Sequence, residues 1–124
     1  MKTQESAENY LETILLLSRS ENLIRSIDIA NELDYSKPSV SIAMKNLRGN
    51  GYITMDLDGY ISLTESGRKI AETMYERHTL LSEFLIKLGV DETIAASDAC
   101  RIEHVISRHT FEKFRDFVKR DYNL

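Results

Sequence analysis

Cys100, Glu103 and His104 place a thiol, a carboxylate and an imidazole at i, i+3 and i+4 within the stretch ACRIEH. A helix turns about 100° per residue, so the three fall within one arc. Ala95, Ala99, Ile102 and Ile106 form the core-facing stripe of the same segment, and the polar trio is expected to project away from it. A divalent cation needs such convergence, because its coordination sphere is only about 2 Å in radius. The spacing alone is weak, since most such sets are solvated helix faces and a lone cysteine is usually a small buried hydrophobe. Further donors strengthen it. Asn9 and Glu12 lie one turn apart near the N-terminus, and His78 interrupts an apolar stripe between Tyr75 and Leu81. Together they offer O, N and S donors from three helices to one or two ions. Two other chemistries use the same residues. Beside Arg101, Cys100 could be a thiolate open to oxidation, and so a redox switch. A small metallohydrolase would also need such groups, but nothing in the chain suggests a substrate pocket or a glycine-rich phosphate loop, so no enzymatic activity and no small-molecule substrate are expected.

The composition, 42% hydrophobic and 29% charged residues over 124 positions, predicts a folded core in one compact domain or two small ones. A single cysteine excludes an internal disulfide framework. No apolar run approaches the roughly 20 residues needed to span a bilayer, and no signal peptide opens the chain; a cytoplasmic protein without membrane contact is expected. The net charge of −4 does not advertise a nucleic-acid partner. Its distribution says more: residues 35–52 carry Lys37, Lys45 and Arg48 and no acid.

The elements that must position these groups are mostly helical. Residues 6–18 put Tyr10, Leu11, Ile14 and Leu15 on one face. A short helix is expected over 26–33, with Ser26 as N-cap and Asp28 in its first turn. A third follows over 36–48, with Ser36 as cap, Pro38 in the first turn, and Gly49 and Gly51 ending it. Two β-prone runs then flank Asp58-Gly59, a strong hairpin signal. Helix, helix, turn, helix and hairpin are the order of a winged helix-turn-helix. Thr64 caps a long helix to about residue 87, with an apolar stripe of Ile70, Ala71, Met74, Tyr75, Leu81, Phe84, Leu85 and Leu88. Gly89 stops it, and helices over 92–107 and 110–119 complete a mainly α chain.

A recognition helix meets base edges in the DNA major groove with its N-terminal residues. Here those are Ser36, Lys37, Pro38, Ser39, Ser41 and Ile42, while Val40, Ala43, Met44 and Leu47 are spaced to face the core. Ile42 should point outward, where it could touch a thymine methyl. Arg25, Lys45 and Arg48 are candidates for the phosphate backbone. Asp56 and Asp58 in the wing would repel phosphate.

The chain resembles the diphtheria-toxin-repressor family of metal-dependent transcriptional regulators, which includes the manganese transport regulators. The resemblance covers residues 6–117 and rests on ENYLETILLL, SKPSVS, GYISLTESGRKIA, ERHTLLSEFL and ACRIEH. It implies a winged helix-turn-helix DNA-binding domain over 1–63 and a helical metal-binding and dimerisation domain over 64–124. It implies a homodimer on a palindromic double-stranded operator of metal-uptake genes, with Fe2+ or Mn2+ as co-repressor and Co2+, Ni2+ or Zn2+ able to substitute in vitro. Glu12, His78, Glu103 and His104 match family metal ligands. Cys100 matches the cysteine of the iron-type branch, where the manganese-type branch has glutamate. Asn9 stands where the family usually has Met or Asp, and its neutral amide is a weaker donor. Ser82 and Ala96 stand where the iron branch's ancillary site wants a carboxylate and an imidazole. Ser36 and Pro38 match base-contact positions, and Ile42 replaces a usual Gln.

Overall fold

The computed structural model describes residues 3–122. Its elements are α1 (Thr3–Ser20), α2 (Ser26–Leu33), α3 (Lys37–Gly49), β1 (Ile53–Met55), β2 (Ile61–Leu63), α4 (Glu65–Lys87), α5 (Glu92–Val105) and α6 (Arg108–Tyr122). Packing divides the chain into two compact units, one ending at Glu72 and the other beginning at Thr73, so the division falls inside α4.

In the first unit, α1 buries Tyr10, Leu11, Ile14 and Leu15, and α3 buries Val40, Met44 and Leu47. Burial pushes the Tyr10 phenol above its usual pKa, and the neighbouring Tyr35 adds to the rise; the two rings meet edge to face at 6.0 Å. The cap of α2 is Arg25 rather than Ser26, which opens the helix itself. The reason is Asp28: its carboxylate accepts the Arg25 backbone N–H at 2.8 Å, the acidic half of a capping arrangement. Asp34 closes α2 in the left-handed region at φ 57°, which Asp tolerates better than most residues. Ser36 caps α3, its Oγ accepting the Ser39 N–H at 3.3 Å.

The wing is an antiparallel pair with Ile53 opposite Leu63 and Met55 opposite Ile61. Its tip is held by Asp56, whose Oδ1 accepts the backbone N–H groups of Asp58 and Tyr60, each at 2.9 Å. That carboxylate is therefore engaged in folding the turn. Beyond the wing, Thr64 Oγ1 accepts the Gly67 N–H at 3.2 Å and caps α4, while donating to the Gly51 carbonyl at 2.7 Å. The first turn of α4 is thereby seated on the wing, and a Cβ at Gly67 would run into the Tyr52 carbonyl oxygen. Because the obstacle is backbone, Gly67→Ala is expected to destabilise the protein by about 2–3 kcal/mol despite alanine's better helix propensity. Thermal unfolding should read this as a Tm lower by about 10 °C; an unchanged Tm would show that the wing yields.

In the second unit, Leu80, Phe111 and Val118 form a core joined by Phe84, Ile106 and Phe114. Ser107 Oγ accepts the Thr110 N–H at 3.1 Å, so α6 starts at Arg108, earlier than its apolar spacing suggests. It runs on to Tyr122, whose ring meets Phe84 edge to face at 5.5 Å. Leu88 lies outside the stripe expected of it, 62% exposed, because the chain leaves α4 at Lys87 and turns through Gly89 at φ 103°.

Candidate metal centre

Three ligand atoms, one each from Cys100, Glu103 and His104, lie within 4.8 Å of one another. They come from the last two turns of α5, which Asp91 starts by accepting the Thr93 and Ile94 N–H groups. Glu103 is the centre of the arrangement. Its Oε1 stands 3.3 Å from His104 Nε2 and its Oε2 stands 3.2 Å from His78 Nδ1 on α4. The sequence pattern assigned Glu103 to a face turned away from the core. Instead its exposure is 0%, the same as Ala95 and Ala99, because steps of four residues carry that stripe from Ala95 through Ala99 to Glu103 with only about 40° of drift each. The His104 side chain is 5% exposed and that of His78 31%, and Cys100 is exposed. The set therefore grades from a buried carboxylate to an accessible thiol.

A carboxylate, two imidazoles and a thiol are the donor types of a borderline divalent cation; Cys100, Glu103 and His104 lie close enough together for a small coordination sphere, and His78 meets the other oxygen of Glu103. A carboxylate is rarely buried completely without a cationic partner. The residues present fit such an ion.

Glu12 and Asn9 belong to the first unit: Glu12 is buried and Asn9 half-buried along α1. The thiol-switch alternative gains no support. Arg101, the cation invoked to activate Cys100, directs its Nη2 to Asp98 Oδ1 at 3.2 Å.

Comparison with known proteins decides the family. The iron dependent repressor N-terminal DNA binding domain matches residues 2–60, and the iron dependent repressor metal binding and dimerisation domain matches residues 64–121. The transcriptional regulator MntR of Escherichia coli O6:H1 is 36% identical over 117 residues, covering 94% of this chain and 76% of its own length. The chain belongs to the iron-dependent repressor family. The family's solved structures carry the same fold. That of the manganese regulator SloR superposes with a TM-score of 0.80 at 30% identity, over 91% of this chain and 53% of its own. A manganese-dependent transcriptional repressor in complex with manganese gives 0.78 at 28% identity, over 86% of this chain and 50% of its own. The chain thus spans about half the length of these two solved structures.

The residues expected at a family DNA interface lie in the first unit. Lys37, Pro38, Ser39, Ser41, Lys45 and Arg48 on α3 are exposed, and Ile42 is 63% exposed. Ser36 and Ser39 share a hydroxyl contact at 2.8 Å. Ser41, Met44, Lys45 and Arg48 line a groove of about 290 Å³ with Ser26 and Met55. Arg25 lays its guanidinium 4.3 Å from the centre of the Tyr60 ring, tying α2 to the wing. Arg77 escaped the sequence reading. It is buried, and its Nη1 donates to the Glu103 carbonyl at 3.0 Å and to the Ile106 carbonyl at 2.9 Å. The only signal was its place beside His78. Among the described residues, no helix is long and apolar enough to cross a membrane.

Proposed function

We propose that the chain is a cation-dependent repressor acting in the cytoplasm as a homodimer on a palindromic operator of metal-uptake genes. The observation that carries this reading is the convergence of Cys100, His104 and His78 on the buried carboxylate of Glu103, in a chain whose other unit is a winged helix-turn-helix. Glu12 and Asn9 on α1 complete the residues that would hold the ion. A bound divalent cation supplies positive charge and a bridge between donors. Without that charge, the population of DNA-competent dimers stays small. With it, the population would shift toward a dimer whose recognition helices lie about 34 Å apart, one turn of DNA. Lys37, Lys45 and Arg48 then meet phosphate, and Ser36, Pro38, Ser39, Ser41 and Ile42 face base edges. We assign no enzymatic step.

The test is binding of a duplex selected from a random library in the presence of Mn2+, measured again with Fe2+ and with a chelator. Coupling between two sites in one protein typically amounts to about 5–150-fold, and by linkage the duplex should tighten metal binding equally. Affinity that ignores the chelator would end the reading.

A further inference from the structure

Arg77 is 8% exposed, and the metal-binding reading gives its guanidinium no task. The last carbonyls of a helix have no partner within the helix. At the end of α5, Arg77 Nη1 takes two carbonyls, those of Glu103 and Ile106, and a cation there also suits the negative end of the helix dipole. Its guanidinium carbon stands 5.4 Å from the centre of the Phe111 ring. Glu103 is consequently gripped twice by consecutive residues of α4: His78 meets its carboxylate at 3.2 Å, and Arg77 holds its main-chain oxygen at 3.0 Å. Stability alone is a poor account of this cation. Its Nε is buried without a hydrogen-bond partner among the described residues, and buried polar atoms of that kind cost free energy that an apolar side chain would avoid.

We infer that Arg77 is a positioning residue for the metal centre, fixing the terminal turn of α5 in the register at which Glu103 and His104 converge with His78. The inference rests on the metal-binding reading above. Groups that orient metal ligands from behind typically contribute about 10–100-fold to affinity, and the backbone grip of Arg77 acts in that way without touching the ion.

The experiment uses the full chain, with Mn2+ for affinity and Co2+ for its absorption bands. Arg77→Met should bind Mn2+ about 10–100-fold more weakly, with Co2+ bands shifted or weakened, while circular dichroism keeps the helical content of the parent. Arg77→Lys, which restores a cation and a donor but not the planar fork, should recover part of the affinity and carries the test if Arg77→Met does not fold. Phe111→Leu is the control: it removes the ring beneath the guanidinium and lowers Tm, but should leave the Co2+ bands in place. Parental Mn2+ affinity and Co2+ bands in the Arg77 variants would overturn the inference, as would Phe111→Leu weakening metal as much as Arg77→Met does. A parent chain that takes up neither ion fails at the earlier reading and is recognisable as that failure.

Discussion

Glu103→Gln is expected to lower Mn2+ or Fe2+ affinity by more than about 100-fold, beyond what orienting groups contribute. It should remove metal-dependent DNA binding with it. The substitution keeps the shape of the side chain and deletes its charge. Glu103 is fully buried between two imidazoles, so it is the donor least replaceable by water. The same burial predicts that the two readouts diverge. An ion loses its principal anionic ligand, which at about 1.4 kcal/mol per decade amounts to some 3 kcal/mol or more. The metal-free protein exchanges a buried carboxylate for an amide that can still accept from one imidazole. Its stability should therefore change by only about 1 kcal/mol. Titration calorimetry and thermal unfolding of the metal-free variant separate the two. A variant that loses stability as steeply as affinity would make Glu103 a structural polar group instead of a ligand.

The contrast between Glu103 and its neighbours shows what sequence could and could not convey. The α2 segment was legible to its last residue, 26–33, because apolar spacing and Asp28 gave local signals. Ser36 and Thr64 announced their caps by type and place, and Asp58-Gly59 marked the wing. Local signals failed where tertiary packing decides. Ser26 lost the cap to Arg25 because any residue's backbone can serve there once Asp28 supplies the acceptor. α6 outran its stripe because Tyr122 finds an aromatic partner in Phe84. The candidate ligands of the second unit were legible as residue types at helical spacing. The burial of Glu103 was not, since a carboxylate reads as surface in any pattern of polarity. Arg77 was invisible for the same reason: a buried arginine is defined by the carbonyls it reaches, and those lie 26 and 29 residues along the chain.

Cys100→Glu is expected to move the metal preference toward Mn2+, lowering the ratio of Zn2+ to Mn2+ affinity by about 100-fold or more, because exchanging a thiolate for a carboxylate removes the one soft donor in the set. If Cys100 is a ligand, its thiolate would pull the parent toward Fe2+, Co2+ and Zn2+ over Mn2+. Cys100 is exposed, so the longer carboxylate can be accommodated without displacing core atoms, and metal-free stability should stay within about 0.5 kcal/mol of the parent. Selectivity is then read free of folding effects, by competition between Zn2+ and Mn2+ at equilibrium. The shift should also appear at the DNA: the Mn2+ concentration giving half-maximal operator binding should fall in the variant, while that for Zn2+ should rise. If neither moves, Cys100 takes no part in coordination. The ion's environment is then set by Glu103 and the two imidazoles, and the exposed thiol only borders it.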